Sequence, residues 1–136
     1  MDYILYQNNN SSTSAGGKWY ARAAVQNMSF DELCRHIASH HRFLDRATVM
    51  AVVMALEDEV RSLLLEGRSV QIGEIGTLSL TIGSRGVDDP ADFRADHDIT
   101  AMRLNIFPGR KLRTKQLLKD AKFKILHRRK QMELPD

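Results

Sequence analysis

The segment from Asp45 to Gly67 limits what this chain can become more than any other. Asp45 suits a helix N-cap. Ala47, Val49, Val52, Val53, Leu56, Val60, Leu63, Leu64 and Leu65 follow as far as Gly67, which predicts a helix of about five turns. Its apolar arc is wide, and one short helix alongside would leave much of it wet. Burial against a sheet or a second subunit is therefore required as well. The helix available upstream is indeed short. Ser29 and Glu32 have the spacing of a capping box, and Phe30, Leu33, Ile37 and Ala38 continue an apolar stripe through about His40.

After Gly67 the hydrophobic period changes from helical to alternating. Val70 and Ile72 predict a short strand, and Gly73 to Gly76 a turn. Leu78, Leu80 and Ile82 predict a second strand whose other face carries Thr77, Ser79 and Thr81. Residues 83 to 100 hold Gly83, Gly86, Pro90 and five aspartates, after which Met102, Leu104 and Ile106 alternate as a third strand that Pro108-Gly109 stops. From Arg113 to about Gln131, Leu117, Ala121 and Ile125 recur at four-residue spacing beside Leu118 and Leu126. That pattern predicts a last amphipathic helix with one strongly basic face, with Phe123 off its main stripe. At the other end, residues 1 to 7 alternate weakly, with Tyr3 and Leu5 on one side and Ile4 and Tyr6 on the other. Residues 8 to 17 are polar or small and predict a mobile loop, and Trp19 to Gln26 reads as a second strand pairing with the first across it.

A chain of 136 residues has room for one ordinary domain and no second full one. Hydrophobic residues at 43% and charged residues at 27% exclude a disordered or fibrous class. No apolar run approaches the roughly 18 residues of a membrane-crossing helix, and Met1-Asp2 lacks the basic start of a signal peptide. The expectation is a soluble cytoplasmic protein without membrane association. Cys34, the only cysteine, cannot form an internal disulfide.

Charge is unevenly distributed. Residues 1 to 108 carry ten basic and fourteen acidic side chains, whereas residues 109 to 136 carry ten basic and three acidic ones. The terminal run includes Arg110, Lys111, Arg113, Lys115, Lys119, Lys122, Lys124, Arg128, Arg129 and Lys130. It has the means to neutralise several phosphates, which gives affinity without sequence preference. The plainer reading is a solvated basic helix.

Two blocks carry a family likeness: Gly67-Arg68-Ser69-Val70-Gln71-Ile72-Gly73-Glu74-Ile75-Gly76-Thr77-Leu78 and Phe107-Pro108-Gly109-Arg110-Lys111-Leu112. With the helical hairpin before them, they resemble the HU and integration-host-factor family of bacterial histone-like DNA-binding proteins over most of residues 29 to 126. The opening strand, the variable loop, Trp19-Tyr20-Ala21-Arg22 and Asp31-Glu32-Leu33 look like the longer HU-like proteins of Bacteroides and relatives. The resemblance implies an α+β fold and an intertwined homodimer with a helical base. A three-stranded antiparallel sheet forms the saddle above it, and β arms reach around the DNA minor groove. On this reading residues 1–28 are an extension with two strands and a loop, 29–131 the HU-like domain and 132–136 a tail.

The arm departs from the family pattern, which has several arginines and an Arg-Asn-Pro tip whose proline wedges between base pairs. Here Arg85 and Arg94 stand among Asp88, Asp89, Asp92, Asp96 and Asp98, a net −3 over residues 83 to 100. Carboxylates are repelled from a phosphate-lined groove, so Pro90 reads as a turn proline and Phe93 as an anchor for a shortened arm. The expected DNA-binding residues are Arg110, Lys111, Arg113 and Lys115, where the start of the last helix adds backbone donors. Arg103 on the polar strand face and Arg85 at the arm root extend the set.

Other chemistries find little support. Cys34, His36, His40 and His41 cluster on the first helix, but their spacing fits no compact metal-ligand pattern, so no metal and no cofactor are expected. Asp31-Glu32 and Glu57-Asp58-Glu59 are helix neighbours pointing different ways, and Gly73 and Gly76 precede no lysine-bearing helix, so no enzyme is expected. The function expected is a nucleoid-associated dimer that binds double-stranded DNA by charge or shape, with weak or no intercalative bending. The alternative is a dimeric structural or protein-interaction scaffold that has lost DNA bending and meets a protein partner through its N-terminal strands.

Overall fold

A computed structural model describes residues 1–10, 12, 14 and 16–126. The chain divides into two compact units, Met1–Leu33 together with the chain from Lys119, and Cys34–Leu118. The boundary falls inside the first helix.

In the first unit, β1 (Asp2–Gln7) pairs antiparallel with β2 (Trp19–Ala23), Leu5 opposite Ala21 and Tyr6 opposite Tyr20. The base of the polar loop is closed by the Asn8 amide donating to the Lys18 carbonyl (2.9 Å) and the Gly17 amide to the Asn8 carbonyl (2.8 Å). Helix α1 (Phe30–His40) begins at the capping box: the Ser29 amide donates to Glu32 Oε2 (2.9 Å) and the Glu32 amide to Ser29 Oγ (3.2 Å).

In the second unit, α2 (Arg46–Leu65) is capped by Asp45, whose carboxylate accepts from the Thr48 amide and hydroxyl, both at 2.9 Å. These two bonds hold the Asp45 carboxyl below the usual aspartate range. The helix stops at Gly67 (φ +85°), where the Gly67 and Arg68 amides donate back to the Leu64 and Leu63 carbonyls. Then β3 (Val70–Ile72), β4 (Gly76–Ser84) and β5 (Ile99–Pro108) form one antiparallel sheet in sequence order. Its register sets Leu78 opposite Ile106, Leu80 opposite Leu104 and Ile82 opposite Met102, so six apolar side chains share one face. The other face pairs Thr77 with Phe107, Ser79 with Asn105 and Thr81 with Arg103.

Between β4 and β5 the chain does not extend as a ribbon. A 3₁₀ turn (Pro90–Asp92) and the short α3 (Ala95–Asp98) fold it up. Asp98, only 6% exposed, ties the turn together. Its carboxylate accepts from the Arg94 amide (2.8 Å) and the His97 ring (2.9 Å), and its carbonyl accepts from the Arg85 amide (2.8 Å). Pro90 opens the 3₁₀ turn behind an Asp89 cap.

The expected long final helix is corrected. Helix α4 spans only Thr114–Asp120, and Lys124–Ile125 forms strand β6, parallel to β1 with Tyr3 beside Ile125. The Lys124 amide donates to the Met1 carbonyl (3.1 Å) and the Leu126 amide to the Tyr3 carbonyl (2.9 Å). Strand pairing across the whole length of the chain outweighs a local four-residue spacing. Residues 127 to 131 of the expected helix, with Arg128, Arg129 and Lys130, lie outside the described residues.

Candidate nucleic-acid interface

The turn from Gly73 to Gly76 and the bend at Phe107–Gly109 lie against each other because neither glycine at the contact has a side chain. A Cβ on Gly109 would run into the Glu74 carbonyl oxygen, and one on Gly76 into the Phe107 carbonyl oxygen. The Gly109 amide then donates to the Ile75 carbonyl (3.0 Å). Gly109→Ala is therefore expected to cost about 1–3 kcal/mol through overpacking. Urea unfolding at fixed protein concentration checks this, and an unchanged midpoint would contradict the contact.

This contact places a 3₁₀ turn (Arg110–Leu112) beside the sheet and forms a groove of about 390 Å³, lined by Gln71, Glu74, Thr77, Phe107, Arg110 and Arg113 among others. Arg110, Lys111, Arg113 and Lys115 are all exposed. The first and third share the groove, the second sits in the same turn and Lys115 in the first turn of α4. The seven-residue α4 is too short to offer the N-terminal anion site expected of a long helix. Arg103 lies on the polar sheet face five residues before Pro108, roughly 17 Å along the strand. Arg85 follows the end of β4 at the foot of the folded arm. The six expected residues are thus one local group of four and two outliers on the same ribbon. Nothing in the spacing of the sequence places Gln71 and Glu74 in the groove; the register of β3 on β4 and the turn after it bring them there. Glu74 opposes the arginines' affinity for anions.

The arm responds to acid in a defined direction. The Arg94 amide first, and then the His97 ring, hold the Asp98 carboxyl below the usual aspartate range against the opposing effect of burial. A depressed folded value means that the stabilisation is complete above the unfolded value of about 3.9 and is lost as pH falls through the folded one. At neutral pH, Asp98→Ala should release the Arg94 amide from exchange protection and leave the β4–β5 amides protected. Retained protection at Arg94 would contradict this.

A second, apolar groove of about 460 Å³ runs between α2 and the sheet, lined by Leu56, Val60, Leu64, Leu65, Leu80 and Leu104 among others. Leu56 is 41% and Leu104 53% exposed. Among the described residues only Ile4, Cys34, Val49 and Leu64 are buried apolar side chains. The rings of His36 and His40 meet edge-on at 4.4 Å, and no third metal-ligating side chain joins them among the described residues.

Two helices, an antiparallel sheet with one polar face and a basic turn at its edge have the architecture of an HU-type domain. Residues 1–124 match the family described as "HU-HIG: HU domain fused to wHTH, Ig, or Glycine-rich motif", and the chain belongs to that family. It is thus an HU-domain protein of the HU and integration-host-factor superfamily. Among solved structures, a chain from Bacteroides vulgatus ATCC 8482, whose name proposes a bacterial DNA-binding protein, aligns with a TM-score of 0.62 at 15% identity. The alignment covers 92% of this chain and 47% of that one, so the chain spans about half that relative's length, and the likeness is one of fold. No curated protein matches.

Proposed function

We propose that this chain is a nucleoid-associated protein of the bacterial cytoplasm, related to the longer HU-like proteins of Bacteroides. It binds duplex DNA as a homodimer, without reading bases, and bends it weakly or not at all. The observation that carries the reading is the group Arg110, Lys111, Arg113 and Lys115, exposed at the bend beside the Gly73–Gly76 turn. Such cations bind phosphates and so fix position without specifying sequence. Arg103 and Arg85 extend the contact along the saddle, and residues 29–131 make up the DNA-binding part between the extension 1–28 and the tail 132–136. The folded arm supports weak bending, because Pro90 sits inside a capped turn with Asp88, Asp89, Asp92 and Asp96 around it. The apolar groove supports the dimer. A second copy is the natural cover for a face that soluble monomers rarely leave open.

The acidic arm and the open edge of β2 favour one other reading, a dimeric scaffold that engages a protein through its N-terminal strands. Random-sequence duplex labelled at both ends separates the two. Binding that weakens steeply with salt, with little change in end-to-end energy transfer, is expected. Absence of binding at low salt would leave the scaffold.

A further inference from the structure

The N-terminal sheet carries a feature that duplex binding does not use. Tyr6 and Tyr20 face each other across β1 and β2, with ring centres 6.1 Å apart and planes tilted by 33°. The guanidinium of Arg22 lies 5.9 Å from the centre of the Tyr6 ring. The two tyrosines are 45% and 38% exposed, and Arg22 is exposed too. The strand alternation places Lys18 on this face beyond Tyr20, and Lys124 on it opposite Asp2 at the other end. All these residues belong to the first compact unit. Two neighbouring rings with a cation packed on one of them, and Lys18 beyond Tyr20, form a platform for unpaired bases, bounded on the other side by the buried Ile4 opposite Arg22. Each ring offers a π-face to a base, and the cations meet the phosphodiester backbone.

We propose that the Tyr6–Tyr20–Arg22 face binds single-stranded nucleic acid by stacking, as a site separate from the duplex-binding bend. The occupant is chosen by charge and by π-surface together. An acidic peptide would meet the cations but would leave the rings without stacking partners, and an apolar partner would leave Arg22 and Lys18 unpaired. Trp19, with its side chain on the opposite face of β2, takes no part.

The test measures binding of a labelled twelve-nucleotide oligothymidylate, and of an abasic phosphodiester strand of equal length, to the full chain at low salt. Both strands are measured also on the variant with Arg110, Lys111, Arg113 and Lys115 all changed to Ala. That background separates failure of this site from failure of the duplex site. Oligothymidylate is expected to bind at least about tenfold tighter than the abasic strand in both backgrounds, and Tyr20→Ala to weaken it about tenfold. Tyr20→Phe, which keeps the ring, and Trp19→Ala should retain binding. Equal affinity for the abasic strand would overturn the proposal, as would loss of oligothymidylate binding with the four basic residues alone, or a Tyr20→Ala variant that is folded by circular dichroism and binds as before.

Discussion

Leu56→Asp is expected to abolish subunit association and folding together. Leu56 projects from α2 into the apolar groove shared with Leu80 and Leu104, the face that a second copy covers in the proposed dimer. A two-fold interface meets every substitution twice. An unpaired carboxylate costs roughly 3–5 kcal/mol each time it is buried, so two exceed what a small domain has to spare. Sedimentation velocity at micromolar concentration should show loss of the dimer, with circular dichroism showing loss of helix at the same temperature. The single chain has few buried apolar side chains to fall back on, since Ile4, Cys34, Val49 and Leu64 are the buried ones among the described residues. A stable folded monomer of the unchanged protein would contradict the architecture.

Changing Arg110, Lys111, Arg113 and Lys115 together to alanine should leave the fold intact, because all four are exposed. The effect on duplex affinity should be large. An exposed ion contact contributes up to about 1 kcal/mol, so four amount to a loss of up to roughly 1000-fold at fixed low salt. Arg103→Ala, a single contact on the saddle, should cost only a few-fold on the same reasoning.

The parts of the fold that are legible in the sequence are those governed by short-range chemistry. Ser29 with Glu32 and Asp45 with Thr48 cap their helices by side chains three residues away. The alternation of Leu78, Leu80 and Ile82 with Met102, Leu104 and Ile106 predicts both strands and their shared face before any register is known. The final segment is illegible for the opposite reason. Lys124 and Ile125 pair with Asp2 and Tyr3 at the far end of the chain, and a two-residue strand carries no period of its own. Phe123 shows the same limit. It lies off the stripe of a helix that does not extend that far, and instead lines an apolar groove with Met1, Tyr3, Leu5, Ala21 and Ala23.

The proposed binding residues divide in the same way. Arg110, Lys111, Arg113 and Lys115 are conspicuous as a charge run, but their position beside Gln71 and Glu74 depends on two glycine backbones meeting across a turn. Arg103 is identified by strand parity alone. The folded arm is half legible: its aspartates argue against insertion into a groove, whereas the closure by Asp98 of bonds to Arg85, Arg94 and His97 depends on distances no spacing reveals.

The most direct measurement is the slope of the logarithm of duplex affinity against the logarithm of salt concentration, for the unchanged chain and for the four-residue alanine variant. Each neutralised phosphate contributes about 0.9 to that slope, so the variant should be flatter by up to about 3.6 if all four side chains reach phosphates. Identical slopes for the two proteins would show that the cations beyond Pro108 do not meet the DNA.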